Sequence, residues 1–272
     1  MKLINQECHT LFQQYSNDSE EYLNLMYQHI EKCGRTCYHS SDKITSESAK
    51  PFFDRMVKSN HTAMLEHGTI YLKCPWNEAT YIGTYESNPY SKVILKAGIY
   101  YITTNMRVIV ENQWEKDLKY LCKPTEHHIK RYTLLCTTAL HCYKDLTRHR
   151  KFSFAIESTR YCNYNNTKKF GEMTFIKPTW YDNSSMLQKY IFKKFLGLVE
   201  KYYKFFVVSG WQAQQAAEVL PQCIKGDMVI TGFEDDWKHL INLRYYGTTG
   251  APHPMVKELT KMMKDNLKFI NI

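Results

Sequence analysis

A long helical segment and several short β-rich segments restrict this chain to a mixed fold. Apolar side chains recur at helical spacing over Met186–Val208, and Gly210 closes the pattern. Residues 68–74 and 98–103 alternate or are β-rich, so we predict strands there. Segment 133–138 is apolar but of ambiguous type, and 164–171 is a predicted loop. Further helices are expected from Ser19 to a stop at Gly34, over 46–58 and 106–121, from Ala139, and over 213–219, 235–243 and 254–267.

Length and composition describe an ordinary globular chain. The 272 residues can bury a full core, and 43% hydrophobic with 23% charged residues is typical of such proteins. No apolar run approaches the roughly 20 residues that a membrane-spanning helix needs. Residues 1–19 are polar and lack the apolar core of a signal peptide. We therefore expect one cytoplasmic α+β domain over residues 1–272, without a membrane partner.

The nine cysteines do not form a recognisable framework. Their number is odd, their spacing is irregular, and no Cys-x-x-Cys pair occurs. Cys33 and Cys37 have no matching second pair that would complete a zinc site. We expect free thiols in a reducing compartment, no disulfides and no metal.

The net charge of +9 makes an anionic partner plausible. Charge alone fits nucleic acid, nucleotides or simple solvation of surface lysines. The aromatic content of 14%, with 21 tyrosines, fits ring stacking but equally fits a tyrosine-rich core.

The most concentrated chemistry lies in residues 148–161. This segment holds three arginines, a histidine, a glutamate and two serines. Guanidinium groups bind phosphate and enolate oxygens through paired hydrogen bonds, and a histidine between them can hydrogen-bond a ring or transfer a proton. Phe152, Phe154 and Tyr161 between the charges indicate that one edge is buried. The pattern predicts a pocket for a phosphorylated, planar, electron-accepting ligand.

The same residues resemble the signature of the flavin-dependent thymidylate synthases. The signature reads Arg148-His149-Arg150, seven residues, Ser158, and then Arg160. The resemblance extends over about residues 30 to 260 through four further segments in family order: Cys33-Gly34-Arg35-Thr36-Cys37-Tyr38, His61-Thr62-Ala63-Met64-Leu65-Glu66-His67, Glu218-Val219-Leu220-Pro221 and Leu240-Ile241-Asn242-Leu243-Arg244.

This resemblance implies a fold and a reaction. The implied fold is a central, mostly antiparallel sheet flanked by long helices, assembled as a homotetramer with sites built across subunits. The implied reaction is the reductive methylation of dUMP to dTMP. Methylenetetrahydrofolate would donate the carbon, and a reduced nicotinamide cofactor such as NADPH would reduce bound FAD.

The resemblance implies that an arginine, rather than a cysteine nucleophile, activates the pyrimidine. Arg244 matches the family's Leu-x-x-x-Arg position, where a fixed cation would stabilise the N3-deprotonated or enolate ring, typically by about 3 kcal/mol. From the residues alone, Arg244 could equally offset the dipole at a helix C-terminus, and Ser158 could cap a turn. The nucleotide-binding residues implied by the family are Asp145, Arg148, Glu157, Ser158, Thr159, Arg160 and Arg244.

The resemblance also implies contacts to FAD. The expected residues are Cys37, His61, Arg148, His149, Arg150 and His239. No G-x-G-x-x-G motif is present, so a Rossmann mode of binding is not indicated. Taken by itself, the basic triplet could be a solvated turn or a nucleic-acid patch, and a lone histidine or cysteine is often structural.

Two positions depart from the family pattern. Ala217 stands where the family usually has an arginine that holds the nucleotide, and Asp145 stands where it has Gln or Glu. Loss of a charge-assisted contact costs about 1.5 to 3 kcal/mol, or roughly 10- to 100-fold in affinity. Alternatives therefore stay open: another pyrimidine nucleotide, transfer of a hydroxymethyl group, a flavin-binding homologue without activity, or, more remotely, a basic nucleic-acid-binding module.

Overall fold

A computed structural model describes residues 1–78, 82–160, 162–166 and 172–268. Their strands are β1 Lys2–Ile4, β2 Glu7–Thr10, β3 Thr69–Pro75, β4 Lys92–Lys96, β5 Ile99–Asn105, β6 Arg131–Ala139, β7 Ser153–Ile156, β8 Thr174–Ile176 and β9 Lys225–Phe233. Their α-helices are α1 Ser19–Cys37, α2 Ala49–Lys58, α3 Ile82–Ser87, α4 Met106–Asn112, α5 Leu140–Leu146, α6 Met186–Val208, α7 Ala213–Ala216, α8 Glu234–Ile241 and α9 Pro254–Asn266. Among these, no helix combines the length and the apolar character needed to cross a bilayer. Tyr161 and most of the predicted 164–171 loop lie outside the described residues.

A four-stranded sheet carries the candidate site. Its order is β2-β6-β9-β7, and every neighbouring pair is antiparallel. Along the central pair, Arg131 of β6 lies opposite Phe233 of β9, and Ala139 lies opposite Lys225. The short strand β7 pairs with β9 at one edge of the sheet, so the segments that flank β7 emerge at two different ends of this edge.

Both faces of this sheet are covered by helices. Successive side chains of a strand point to opposite faces. Val229 packs with α1 side chains such as Met26 and Ile30. Its neighbours Met228 and Ile230 pack instead with apolar residues of α8 and α9. The sheet is therefore a buried layer that fixes the positions of the loops at its ends.

The remaining strands form two smaller sheets. Strands β3-β5-β4 are antiparallel, and β1 and β8 form a parallel pair. Helices with mostly antiparallel pairing agree with the expected α+β class. The single central sheet is not observed, because the three-stranded sheet joins the larger one through side chains rather than through a backbone ladder.

The buried side chain of Arg131 makes this connection. Its Nη1 donates to the carbonyl of Glu66 at 3.0 Å and its Nη2 to Ser153 Oγ at 3.3 Å, while its backbone N–H donates to Tyr71 Oη at 3.1 Å. The guanidinium also lies 5.4 Å from the ring centre of Phe233. One side chain on β6 thus contacts the three-stranded sheet, β7 and β9.

The predicted helix stop at Gly34 is wrong. Helix α1 follows Asp18, whose side chain accepts a hydrogen bond from the N–H of Glu21 at 2.8 Å, and it runs through Gly34 to Cys37. A Cβ at position 34 would lie 2.6 Å from Cζ of Phe52 on α2. Glycine is present here because α1 and α2 approach closely, not because the helix ends.

Other predicted elements divide into confirmed and corrected ones. The helix Met186–Val208 and the strands at 68–74 and 98–103 are confirmed, and the ambiguous segment 133–138 lies in β6. The single helix over 106–121 is wrong: Gln113 adopts a left-handed conformation with φ of 60°, so α4 ends at Asn112 and a 3-10 turn covers Glu115–Tyr120.

Substitution of the packing glycine tests the contact between α1 and α2. We expect Gly34→Ala to lower the free energy of unfolding by about 1 to 3 kcal/mol, because the new methyl group must displace Phe52. The matched control is Gly197→Ala on α6, where a Cβ meets nothing within 4 Å. Alanine in that helix should raise the free energy of unfolding by up to about 1 kcal/mol. Urea unfolding monitored by circular dichroism measures both, and equal stability of the two variants would contradict the packing argument.

Candidate functional site

The residues predicted for the site fall into two groups at the two ends of β7. Asp145, Arg148, His149 and Arg150 precede the strand, whereas Glu157 and its successors follow it. Four residues of strand span about 13 Å. The sequence signature is therefore split between two places on the chain.

The first group forms an arginine cluster of Asp145, Arg148, His149 and Arg244. Arg244 Nε donates to His149 Nε2 at 3.1 Å, and Arg244 Nη2 donates to the carbonyl oxygen of Asp145 at 3.0 Å. The Asp145 carboxylate lies 3.6 Å from Arg148 Nη1 and 3.9 Å from Arg244 Nη1. Residues distant in sequence thus converge on one guanidinium.

Local structure explains how Arg244 reaches this position. Helix α8 ends at Ile241, and residues Asn242–Tyr246 continue as a wider π-helical turn. Gly247 closes the turn with φ of 71°, and a Cβ there would lie 2.9 Å from the carbonyl oxygen of Gly250. The expected helix-terminal location of Arg244 is thus observed, but its guanidinium contacts His149 and Asp145 instead of only facing solvent.

His149 is held neutral by its surroundings. Because Arg244 can only donate, His149 Nε2 must accept, and the ring proton then lies on Nδ1. Burial, followed by the charges of Arg244 and His239, lowers the pKa of His149 to about 4. The His239 ring lies 6.0 Å from the His149 ring. At neutral pH the cluster therefore combines a charged guanidinium with an uncharged imidazole.

The arginine cluster borders a cavity of about 530 Å³. It is lined by charged, aromatic and apolar side chains of three elements: Arg148, His149, Arg150, Lys151, Phe152, Asp235, Asp236, His239, Leu243 and Arg244. The volume is that of a typical small-molecule site. Phe152 is buried and meets Trp237 edge to face at 4.7 Å, which gives the cavity the buried aromatic edge that the sequence predicted.

The second group forms a lysine cluster of His39, Glu157, Lys225 and Asp227. Lys225 Nζ lies 2.9 Å from Glu157 Oε2 and 2.5 Å from Asp227 Oδ2, and the backbone N–H of Asp227 donates to Glu157 Oε2 at 3.0 Å. Burial lowers the pKa of Lys225, but the attraction of Glu157 and Asp227 outweighs it and raises the pKa above its usual range. The buried Glu157 therefore has a permanent counterion.

The lysine cluster borders a second cavity of about 590 Å³, whose lining includes Thr36, His39 and Asp227. Ligand atoms of His39, Glu157 and Asp227 lie within 4.8 Å of one another, a spacing that could hold a metal ion. The Lys225 ammonium, however, already lies on both carboxylates. This arrangement favours a structural role over a metal site.

Ser158 and Cys37 meet beside the lysine cluster. The backbone N–H of Ser158 donates to the carbonyl of Cys37 at 3.0 Å, and that of Cys162 donates to the carbonyl of Ser158 at 3.0 Å. Burial raises the pKa of the Cys37 thiol to about 11, and its Sγ lies 3.9 Å from Met64 Sδ. A protonated, buried thiol is a poor nucleophile, so Cys37 fits a packing role beside a ligand rather than a covalent one.

Several predicted residues lie outside both clusters. His61 is exposed at the start of the 3-10 turn Thr62–His67 and lines neither cavity. Thr159 is half-buried and Arg160 is exposed in the turn after β7. Ala217 begins a 3-10 turn that packs near α6.

Sequence reasoning missed the residues of β9. Lys225 and Asp227 are two positions apart on one strand, so they share a face and can both reach Glu157. This i, i+2 spacing was available in the sequence, but it is informative only once 225–233 is recognised as a strand. Asp235 and Asp236, which line the arginine-cluster cavity, carried no comparable signal.

Comparisons with known proteins give a family and a fold. The family model described as thymidylate synthase complementing protein matches residues 105–268, which include both clusters except His39. The solved structure of the UMP/dUMP methylase PolB from Streptomyces cacaoi with 5-Br UMP aligns at 13% identity and a TM-score of 0.50, covering 99% of this chain and 92% of that chain. The structure of PolB with 5-Br dUMP gives 13% identity, a TM-score of 0.49, and coverage of 99% and 93%. No relative was found among curated proteins.

Removal of the Arg244 charge tests the contact with His149. In Arg244→Gln we expect the pKa of His149 to rise from about 4 toward its usual range, because the protonated ring would no longer face a fixed cation. In a titration from pH 8 downward, His149 of this variant should then become protonated at a higher pH than His149 of the parent protein. The measurement is an NMR titration of the imidazole resonances. Lys151→Gln removes a charge from the same cavity without this contact and serves as the control; equal pKa values in all three proteins would contradict the assigned hydrogen bond.

Proposed function

Since the chain belongs to the thymidylate synthase complementing protein family, we propose that it is a flavin-dependent thymidylate synthase that methylates dUMP to dTMP. The resemblance to flavin-dependent thymidylate synthases is thereby established at the level of the family. The observation that carries the proposal is the arginine cluster, in which Arg148, His149 and Arg244 converge on one cavity within the matched region. The likeness in fold to a methylase named for UMP and dUMP supports the same substrate class.

Arg244 would activate the pyrimidine. Its side chain is 21% exposed, and its Nε and one Nη are occupied by the neutral His149 ring and a carbonyl oxygen. Its charge is therefore oriented but only loosely compensated by the Asp145 carboxylate at 3.9 Å. A cation prepared in this way stabilises negative charge that develops on O2 or N3 of a uracil ring, so that C5 becomes nucleophilic without a cysteine adduct.

The nucleotide would be held by the residues that the family implies. Arg148 and Asp145 lie beside Arg244, while Glu157, Ser158, Thr159 and Arg160 lie at the far end of β7. Donors such as Arg160 and the Ser158 hydroxyl suit a phosphate and a sugar. Glu157 differs, because its carboxylate is already engaged by Lys225 and would orient the backbone of this segment.

The residues of the arginine-cluster cavity fit FAD. Arg148, His149, Arg150 and His239 offer donors for phosphate and ring oxygens, and Phe152 supplies an apolar edge. Cys37 and His61 are proposed as further contacts on the basis of the family resemblance. When bound, FAD would transfer reducing equivalents from NADPH to the one-carbon unit that methylenetetrahydrofolate donates. The protein side chains would bind and orient these ligands and keep His149 neutral.

A homotetramer would bring the two clusters together. Within one chain they are separated by the length of β7, so a second copy could place its Ser158 segment against the arginine cluster of the first. An apolar stripe on α6 supports such an assembly. Its side chains are half or more exposed at spacings of three and four residues: Leu187, Ile191, Phe195, Leu198, Tyr202 and Phe205. Stripes of this kind pack against other helices.

A second substrate, UMP or another pyrimidine nucleotide, is the alternative. The methylase of similar fold is named for both UMP and dUMP. Asp145 is one methylene shorter than the family's usual Gln or Glu, and Ala217 replaces an arginine. The side chains that contact the nucleotide would therefore differ from those of the family. These departures affect selectivity more directly than they affect the activating arginine.

Spectroscopy and turnover test the proposed reaction. We expect the purified protein to be yellow, with the bands of oxidised flavin. After anaerobic reduction with NADPH, addition of dUMP and methylenetetrahydrofolate should re-oxidise the flavin and yield dTMP. Parallel reactions with UMP distinguish the alternative. A colourless protein that also fails to take up added FAD would overturn the proposal.

The same assay measures the role of Arg244. Arg244→Gln should lower kcat/KM by roughly 100- to 1000-fold, the usual effect of removing one preorganised donor. Lys116→Gln, an exposed charge outside both cavities, is the control and should leave kcat/KM unchanged. A small effect of Arg244→Gln in a protein that retains its flavin would exclude Arg244 as the activating group.

Restoring the family's charge tests the departure at position 217. We expect Ala217→Arg to tighten dUMP binding by about 10- to 100-fold, the range for a charge-assisted contact. Ala217→Gln adds comparable bulk without charge and should have little effect. Calorimetric titration with dUMP measures both. If Ala217→Arg binds dUMP no better than the parent, a charge at position 217 does not contribute to nucleotide binding in this chain.

A further inference from the structure

A third cleft, of about 480 Å³, lies on the other side of Arg148 from the arginine-cluster cavity. It is formed by α5, the turn after β8 and the start of α9. Its chemically distinctive lining residues are His141, Lys144, Arg148, Trp180, Phe192 and His253. Among the described residues, Arg148 lines both this cleft and the arginine-cluster cavity. Except for Asp145 and Arg148, none of these residues has a role in the function proposed above.

Aromatic rings form one wall of the cleft. The His253 ring lies 4.8 Å from the His141 ring and 6.0 Å from the Trp180 ring, edge-on in both cases. Trp180 is 51% exposed, although a tryptophan of this size usually buries most of its surface. An indole left open beside two imidazoles offers a stacking surface to a planar ligand.

The turn that carries Trp180 is anchored. The N–H of Tyr181 donates to the carbonyl of Pro178 at 2.8 Å, and the N–H of Asn183 donates to the carbonyl of Trp180 at 3.2 Å. Thr179 Oγ1 donates to Glu258 Oε2 on α9 at 2.9 Å. The exposed indole is thus presented by a fixed turn, so a ligand need not order it on binding.

The charges of the cleft select an anion. Lys144 and Arg148 lie at its rim, and both are exposed. The one carboxylate in the lining, Asp145, faces two guanidinium groups, those of Arg148 and Arg244. The cleft therefore presents uncompensated positive charge next to an aromatic wall.

We propose that this cleft binds the planar ring of an anionic co-substrate, with the ring on Trp180 and His253 and the anionic tail on Lys144 and Arg148. The choice of ligand rests on the proposed function, which requires two such compounds: a folate, with an aromatic ring and a carboxylate tail, and a reduced nicotinamide dinucleotide, with aromatic rings and phosphates. Both compounds combine a planar aromatic ring with negative charge, which are the two features that this cleft would bind. Arg148 borders both cavities, so a ligand in the cleft would lie next to one in the arginine-cluster cavity.

Direct binding tests the proposal without turnover. The probes are 5-formyltetrahydrofolate, NADPH and dUMP, each titrated calorimetrically into the purified protein. Trp180→Ala and His253→Asn should each weaken binding of one of the first two probes by roughly 10-fold or more, as for loss of a stacked ring. Asparagine at 253 can still accept the hydrogen bond that the Met255 N–H donates to His253 Nδ1, so the start of α9 is kept. Lys144→Gln should weaken the same probe.

Matched controls keep the outcomes distinct. Trp211→Ala removes another partly exposed tryptophan, and Lys116→Gln removes another exposed charge; neither should alter binding. Loss of folate affinity identifies the carbon donor as the occupant, and loss of NADPH affinity identifies the reductant. The proposal is overturned if the variants weaken only dUMP, if they weaken none of the probes, or if the parent binds neither co-substrate. Because binding is measured directly, a protein that makes no dTMP can still support or refute it.

Discussion

The fold depends on one buried cation. Arg131 forms no ion pair with a carboxylate among the described residues, and burial lowers its pKa, so its direct contacts are with carbonyl, hydroxyl and aromatic groups. Burying a charge is costly unless its donors find acceptors, and here both terminal nitrogens of the guanidinium donate to protein oxygens while Nε has no hydrogen-bond partner. The groups that Arg131 contacts belong to the turn before β3, to β7 and to β9. The Arg131 guanidinium thus links the turn before β3 to β7 and β9, and the hydrogen bond between His67 Nδ1 and Thr231 Oγ1 at 2.8 Å joins the same turn to β9.

The two clusters beside β7 use positive charge in opposite ways. Lys225 contacts two carboxylates and is nearly neutralised, so it stabilises the segment that follows the strand. Arg244 is held mainly by an imidazole nitrogen and a carbonyl oxygen, which orient it without cancelling its charge. The low pKa of His149 is part of this arrangement, because a protonated ring could not accept from Arg244. The charge of Arg244 is therefore available to an anionic ligand, whereas that of Lys225 is not.

The sequence predicted the participants better than their arrangement. Arg148, His149, Arg150, His239 and Arg244 line one cavity, and Asp145 lies beside it against Arg244, while the roles that the family resemblance implies for them stay predictions. Of the lysine cluster only Glu157 was predicted, because Lys225 and Asp227 belong to β9, where Gly226 and Gly232 weaken the sequence signal for a strand. Those glycines are required by close packing, because a Cβ at position 226 would lie 2.2 Å from Tyr143 Oη and one at position 232 would lie 2.4 Å from the Phe152 ring. Gly34 was misread for the same reason: close packing, which involves residues distant in sequence, selects glycine as firmly as a helix end does.

The two arginines of the cluster differ in exposure, which would give them different roles in the proposed reaction. The Arg148 side chain is 70% exposed, whereas that of Arg244 is 21% exposed and already hydrogen-bonded. An exposed guanidinium such as that of Arg148 loses side-chain freedom when it binds a ligand. It would therefore contribute mainly to the association of the ligand and to selectivity among ligands. An oriented guanidinium has lost that freedom during folding, so its interaction with developing charge carries little further cost. Because Arg148 lines both the arginine-cluster cavity and the proposed co-substrate cleft, its conformation would couple the occupancy of the two: a ligand that draws the guanidinium to one side would change the charge that the other ligand meets.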